Sequence, residues 1–140
     1  MYEYKCTIDR VVDGDTVDAI INLGFSVMFK SRVRLYGIDT PESRTRNKDE
    51  KALGLLSKDF LKNKIESGNE IVLRTKLRDS RGKFGRVLAV VVVDGEDINQ
   101  LMIDNFYGAA YFGQSKDEIK EEHISNRQIL IDLGIHTPVE

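Results

Sequence analysis

Hydrophobic and polar residues alternate along the first third of the chain with the two-residue period of β-strands. Residues 4–12 form an extended run, residues 16–22 (TVDAIIN) are rich in β-branched residues, and Asp13-Gly14 between them is a turn signal. Leu23-Gly24 marks a second turn, after which residues 27–38 resume the alternation. The pattern therefore predicts three consecutive strands joined by two short turns.

The spacing of apolar residues changes to that of an α-helix at three later places. Residues 49–67 end before Gly68, which suits the C-terminal cap of a helix. A second helix is predicted from Ile98 to Gly108, and a third over residues 117–133, before Gly134. The apolar stripes of the first two helices are Leu53, Leu56, Phe60 and Ile65, and Ile98, Leu101, Met102 and Phe106.

Two further strands are predicted at residues 70–76 and 86–93. The second of them, RVLAVVVV, is apolar throughout, which is typical of a strand buried on both faces. Three strands, a helix, two strands and then helices form the element order of an OB-type barrel. No repeat or linker divides the chain, so residues 1–140 are expected to form one domain. The predicted fold class is α+β (mainly β), a five-stranded OB-fold β-barrel with about three helices.

The composition is that of an ordinary globular protein, with 41% hydrophobic and 31% charged residues. No apolar run approaches the roughly 18 residues that cross a membrane. The first residues lack the apolar core of a secretory signal. We therefore expect a protein that makes no contact with membranes. It either remains in the cytoplasm or has a location that the sequence does not specify.

Cysteine and histidine are too rare to build the common metal sites that depend on them. Cys6 is the only cysteine, which excludes an internal disulfide and a thiolate zinc site and predicts a small core residue. His123 and His136 are the only histidines, and their charged surroundings predict surface positions. A metal site in this chain would have to be built mainly from oxygen ligands.

Charge is distributed unevenly although the net charge is only −2. Residues 30–51 contain seven Lys and Arg against four Asp and Glu, and residues 74–86 contain six against one. From Asp94 onward ten acidic residues stand against three basic ones. Two interpretations remain open: a basic surface that meets a polyanion, or loop charges that are simply solvated.

Charged residues occur at the ends of the predicted strands and inside them. Asp15, Asp39 and Glu42 lie at strand ends or in the loop just beyond. Arg34 interrupts an apolar strand, and Arg86 begins the most apolar one. A charge in such a place is costly unless it has a partner. These five residues are therefore the candidates for a charged functional site.

A divalent cation held by oxygen ligands would account for the acidic residues, and calcium tolerates irregular oxygen shells. Such a cation can hold a phosphate oxygen as a Lewis acid, and two guanidinium groups can stabilise the charge that develops on the other oxygens. A nearby carboxylate can orient or deprotonate the attacking water. Together these parts suffice for metal-assisted hydrolysis of a phosphodiester.

Each segment also has a purely structural interpretation. Asp13-Gly14-Asp15-Thr16 is a hairpin signal, and the segment 39–42 (DTPE) resembles the capping box of a helix. Arg34 and Arg86 are able to form structural ion pairs with Asp15 and Asp39. These interpretations are adequate singly, but they do not explain why three acids and two arginines all occur at strand ends.

The segments DGDTV, RLYGIDTPE and KFGRVLA, in this order and spacing, resemble the signature of the staphylococcal nuclease family. The later segment INQLMIDNFYGAAY is similar to a helix and turn of the same family. The resemblance implies an OB barrel and a calcium-dependent endonuclease that cleaves DNA and RNA and leaves 3′-phosphate ends. Its substrate binding would rest on phosphate contacts and base stacking, so low sequence specificity and a preference for single strands are expected.

The resemblance also implies a role for each matching residue. Asp15 and Asp39 would bind the metal through their carboxylates and Thr40 through its backbone carbonyl. Glu42 would position or activate the water. The phosphate clamps would be Arg34 and Arg86, and the substrate contacts Lys83, Phe84 and Tyr111. Phe84 stands where many relatives have tyrosine and so lacks a hydroxyl that can reach a phosphate.

Two other functions are alternatives to a monomeric nuclease. A barrel without activity that binds nucleic acid or a protein is the main alternative, but such proteins lose the acids or arginines that this chain retains. A plain single-strand binder should display aromatic side chains for stacking, whereas aromatic residues make up only 8% here and tryptophan is absent. The retained charged residues favour the enzyme.

Overall fold

The computed structural model describes residues 2–75 and 87–140, which form eight strands and three helices within those ranges. The strands are β1 (Tyr2–Asp13), β2 (Thr16–Asn22), β3 (Met28–Leu35), β4 (Ile38–Asp39), β5 (Ile71–Thr75), β6 (Val87–Val93), β7 (Glu96–Asp97) and β8 (Ala109–Ala110). The helices are α1 (Lys48–Glu66), α2 (Ile98–Asp104) and α3 (Lys116–Asp132).

Five strands close into a barrel. They neighbour one another in the order β3-β2-β1-β5-β6, and β6 returns to pair with β3. The closing pair is parallel and places Val33 opposite Val87, whereas the other pairs of the barrel are antiparallel. The predicted five-stranded OB-fold barrel with three helices is confirmed.

The core fills the barrel and the space under α1 and α2. Val17, Val33, Leu73 and Val91 are fully buried inside it. Strand β6 is buried on both faces from Ala89 to Val93, as its continuous apolar run predicts. The strands whose ends carry the candidate site are therefore anchored in one continuous core.

The predicted third strand is shorter than expected. It ends at Leu35, and the two-residue strand β4 follows after a turn at Tyr36-Gly37. Gly37 has a φ of +78°, a backbone conformation that interrupts a strand and favours glycine. The interruption turns the chain so that β4 leaves the barrel and pairs with β8.

Two helix predictions also need correction. Helix α2 ends at Asp104 rather than near Gly108, because Phe106 has a φ of +67° and so lies outside the helix. In α1 the apolar face is centred differently from the predicted stripe: Leu61 is fully buried, whereas Leu56 and Phe60 are only partly buried. No helix in the described residues is both long enough and apolar enough to cross a membrane.

The expectation that both histidines lie on the surface is wrong. His136 is only 4% exposed, and His123 is half-buried. Each has an aspartate as its partner, Asp49 for His136 and Asp39 for His123. Cys6 packs against the core cluster, in agreement with its expected role.

Candidate active site

The turn between β1 and β2 places Asp15 beside the start of β4. Its Oδ1 accepts a hydrogen bond from the Thr16 hydroxyl at 2.9 Å. Its Oδ2 accepts one from the backbone N–H of Thr40 at 3.2 Å. Asp15 is thus held at the hairpin tip, as the turn signal predicts, and it also faces the segment that carries Asp39.

Arg34 extends from β3 toward the two aspartates. Its Nη1 donates to the backbone carbonyls of Leu35 and Ile38 at 2.9 and 2.8 Å. Its Nη2 lies 3.5 Å from Oδ2 of Asp15 and 3.6 Å from Oδ1 of Asp39. These two distances exceed the 2.7–3.2 Å typical of N–H···O hydrogen bonds. One end of the guanidinium is therefore fixed by the backbone, while the other remains able to donate to an anion.

Thr40 and Ser43 anchor the loop that carries Glu42. The hydroxyl of Ser43 donates to the carboxylate of Asp13, which ties the loop to the first hairpin. Thr40 is buried, and its Oγ1 has no hydrogen-bond partner in the described part of the chain. A buried oxygen without a partner is uncommon in folded proteins.

Helix α1 packs against the same loop through Gly54. A Cβ atom built on Gly54 would lie 2.4 Å from the carbonyl oxygen of Glu42, closer than such atoms can approach. Only glycine therefore allows the helix to lie directly against the backbone of Glu42. Sequence reasoning did not identify Gly54 as part of the site.

Glu42 lies in a concentration of negative charge. Burial, and then the charges of Asp13, Asp15, Glu50 and Asp39, raises the pKa of the Glu42 carboxyl above its ordinary value. No hydrogen bond or ion pair engages this carboxylate in residues 2–75 and 87–140. Within those ranges Glu42 is a carboxylate without a partner, and because its acidic neighbours repel it, a cation would relieve the repulsion.

His123 is a site residue that sequence reasoning missed. Its Nε2 lies 2.7 Å from Oδ2 of Asp39, and because a carboxylate can only accept, the imidazole donates. Asp39 is therefore held from α3 on one side and faces Arg34 on the other. The contact joins residues 84 positions apart, and no local pattern signals it.

A cavity of about 760 Å³ opens from Arg34 and Asp39 toward α3. Tyr111 lines it, and the backbone N–H of Tyr111 donates to the carbonyl of Gly37 at 2.8 Å, which holds the ring beside the turn before β4. The structure therefore brings Tyr111 to the predicted site. The other two predicted substrate contacts, Lys83 and Phe84, lie outside the described residues, as does Arg86.

Comparison with known proteins identifies the family of this chain. The family model of the staphylococcal nuclease homologues matches residues 32–129. The chain belongs to the staphylococcal nuclease family. The matched region contains Arg34, Asp39 and Glu42 but begins after Asp15.

Three curated proteins that are similar to this chain carry nuclease names. Endonuclease YhcR of Bacillus subtilis is 32% identical over 116 residues, which cover 79% of this chain and 9% of that protein. Endonuclease YncB of the same organism is 34% identical over 97 residues, covering 69% of this chain and 43% of that protein. Thermonuclease of Staphylococcus intermedius is 31% identical over 113 residues, covering 81% and 63%. The chain thus spans less than half the length of the two Bacillus endonucleases.

The oxygen donors of the candidate site fit a hard cation. No three His, Cys, Asp or Glu side chains are grouped as a metal site in the ranges that the structure describes. The carboxylates of Asp15 and Asp39 nevertheless both lie near Nη2 of Arg34. The backbone N–H of Thr40 donates a hydrogen bond to Asp15, which brings the oxygens of Thr40 into the same region. Two carboxylates with a neutral oxygen and water are a donor set that calcium accepts.

Of the purely structural interpretations, the structure contradicts the helix cap and confirms the ion pairs of Arg34. The segment 39–42 does not cap a helix, because α1 is capped by Asn47, whose side chain accepts from the N–H of Glu50 at 3.0 Å. Arg34 does form ion pairs with Asp15 and Asp39. Because both N···O distances are longer than a hydrogen bond, Nη2 remains able to donate to a further anion. The ion pairs are therefore compatible with a phosphate-binding role.

Proposed function

We propose that this chain is a calcium-dependent endonuclease that hydrolyses phosphodiester bonds of DNA and RNA with low sequence specificity. The observation that carries the proposal is the convergence of Asp15 and Asp39 on Nη2 of Arg34, next to the carboxylate of Glu42, which no described residue engages. The nuclease names of the relatives support the same reaction. Residues 1–140 are proposed to act as one monomeric nuclease domain.

In this proposal Asp15, Asp39 and the carbonyl of Thr40 hold the calcium ion. A bound calcium ion would act as a Lewis acid on a non-bridging oxygen of the scissile phosphate. Arg34 donates from Nη2 to another phosphate oxygen, because its Nη1 is already committed to backbone carbonyls. A fixed guanidinium stabilises the charge of the transition state without having to reorganise.

Glu42 positions a water molecule and accepts its proton. The water oxygen bonds to phosphorus while the bond from phosphorus to the 5′ oxygen breaks, and the leaving oxygen takes up a proton. The phosphate then remains on the 3′ end of the upstream product. Arg86 is proposed as the second phosphate clamp, and Lys83, Phe84 and Tyr111 as substrate contacts, with Tyr111 exposed beside the cavity.

Single strands are proposed as the preferred substrate. An exposed tyrosine next to the site can stack on an unpaired base, whereas the bases of a stable duplex are stacked on one another. A labelled oligonucleotide compared as an unpaired strand and as a stable hairpin tests this preference. Equal cleavage rates for the two forms would contradict it.

The proposed reaction is tested by incubating labelled single-stranded DNA and RNA with the protein in calcium, in magnesium and in chelator. Mass spectrometry of the products then identifies their ends. Calcium-dependent cleavage to 3′-phosphate products is expected. Folded protein that binds the oligonucleotide but cleaves it with neither metal would favour the alternative, an inactive nuclease-like module that binds nucleic acid or a protein partner.

A further inference from the structure

Helix α3 separates its charges onto two faces. Lys116, Lys120, His123 and Arg127 are its basic and imidazole residues, and all of them line the cavity beside Arg34 and Asp39. At 3.6 residues per turn these positions fall within about 60° of one another around the helix. The acidic residues of the helix fall about 100° or more away from Lys116. They are Asp117, Glu118, Glu121, Glu122 and Asp132.

The position of the cations on α3 is notable because the C-terminal third of the chain is otherwise acidic. Its three basic residues, from Asp94 onward, are Lys116, Lys120 and Arg127. All three therefore lie on the one face that continues the candidate active site.

Two of these three cations remain free to bind a ligand. Arg127 donates from Nε to Asp49 at 2.7 Å and so links α3 to α1. Lys116 and Lys120 are exposed and form no ion pair with the described residues. They lie one turn apart, about 6 Å along the helix axis.

Three carboxylates also line the cavity, namely Asp39, Asp49 and Glu50. Asp39 is held by His123, and Asp49 by Arg127 and His136, so Glu50 is the one of the three without a partner among the described residues and does not balance both lysines. Apolar groups line the same cavity. They are Pro41, Leu53, Ile119 and Ile124, together with the ring of Tyr111. The cavity volume of about 760 Å³ lies in the range of about 300–1,000 Å³ that ligand pockets occupy.

We propose that this cavity is a strand-binding subsite, in which Lys116 and Lys120 contact phosphates of single-stranded nucleic acid adjacent to the phosphate that is cleaved. The inference rests on the proposed nuclease function. A base and sugar of the bound strand lie against the apolar groups and Tyr111, while the backbone follows the basic face of α3. Because phosphates carry no sequence information, the subsite increases affinity without adding sequence specificity.

The subsite is tested by fluorescence anisotropy of a short labelled single-stranded DNA in chelator, where no cleavage occurs. The variant is Lys116→Gln/Lys120→Gln. The matched control is Lys58→Gln/Lys62→Gln, which removes the same charge at the same spacing from α1, where both lysines line a different cavity with Asp9 and Glu66. All four side chains are free of ion pairs with described residues, so both variants are expected to fold.

The α3 variant is expected to bind about 2- to 30-fold more weakly, the range for two exposed charge pairs. The slope of log affinity against log salt is expected to fall by about 1.4, for two phosphates of a single strand. The α1 control is expected to match the wild type. Equal affinity and salt slope in the two double variants would overturn the subsite. Because binding is measured without metal, that failure is distinct from an absence of cleavage by the wild type, which would overturn the proposed function.

Discussion

Nε2 of His123 donates to Oδ2 of Asp39 across 2.7 Å, so a side chain of α3 holds a carboxylate at the end of β4. The other oxygen of Asp39 faces Arg34, which belongs to the barrel. Asp39 therefore lies where the barrel and α3 meet. The orientation of this proposed metal ligand depends on packing between elements that are far apart in sequence.

Replacement of His123 by alanine is expected to lower calcium affinity by about ten-fold or more, the usual cost of removing a group that orients a metal ligand. Calorimetric titration of the metal-free protein with calcium measures this directly. His123→Gln retains an N–H donor and is expected to restore much of the affinity. Ser125→Ala, an exposed change on the same helix, is the control. Wild-type calcium affinity in His123→Ala would show that Asp39 needs no support from α3.

Gly54→Ala tests the contact between α1 and the loop of Glu42. The added methyl group would overlap the backbone of Glu42 and Ser43, so either the loop or the helix must shift. We expect cleavage to fall by about 100-fold, since small displacements of positioned groups have effects of that size. Leu55→Ala, an exposed neighbour, serves as the control for cleavage rate and for thermal unfolding. Undiminished cleavage by Gly54→Ala would mean that the position of Glu42 is not critical.

Asp49 links the start of α1 to the end of the chain. It accepts from Arg127, from the buried His136 and from the backbone N–H of Val139. Arg127 above all, with Val139 and His136, holds the pKa of the Asp49 carboxyl well below its ordinary value. The ionised carboxylate therefore contributes stability above the unfolded-state pKa of about 3.9, and this contribution is lost as the pH falls toward the lower pKa of the folded state.

Asp49→Asn is expected to reduce the free energy of unfolding by about 1–3 kcal/mol at neutral pH, the cost of leaving buried donors poorly paired. Urea unfolding at several pH values measures it. The difference from the wild type should shrink below about pH 4, where Asp49 of the unfolded chain is protonated. Asp59→Asn, an exposed change on the same helix, is expected to be neutral. A loss of stability that did not change with pH would contradict the role given to the ionised carboxylate.

Cys6 is expected to be unreactive in the folded protein. Burial raises the pKa of its thiol to about 12, and only the thiolate reacts with disulfide reagents. Near neutral pH the native thiol should therefore react with Ellman's reagent on the order of a hundred- to a thousand-fold more slowly than in urea. A native rate equal to the rate in urea would place Cys6 on an accessible surface instead.

Local periodicity predicted most of the barrel. The alternation in β1 and β2 and the apolar run of β6 reflect the faces that these strands bury. The division of the third strand at Gly37 was not predicted, because glycine occurs within strands as well as at turns and only its positive φ distinguishes the two. The end of α2 was predicted too late for a related reason, because Phe106 continues the apolar spacing past the last residue of the helix.

The candidate site was likewise predicted only in part from the sequence. Asp15, Arg34 and Asp39 were recognised because charged residues at strand ends stand out locally. His123 and Gly54 act through contacts that only the packing of α3 and α1 creates. The basic residues of α3 recur at helical spacing in the sequence. A count of charges over the whole acidic C-terminal third does not reveal this spacing.

The most direct test of the account is the rate of cleavage of labelled single-stranded DNA in calcium by the wild type, Glu42→Gln and Glu66→Gln. Glu66 is the matched control, because it is an exposed glutamate of α1 that lines a different cavity and has no assigned part in the chemistry. We predict that Glu42→Gln loses about 100-fold or more of the rate, as removal of a general base does, while Glu66→Gln stays near the wild type. Wild-type cleavage by Glu42→Gln, or no cleavage by the folded wild type, would contradict the account.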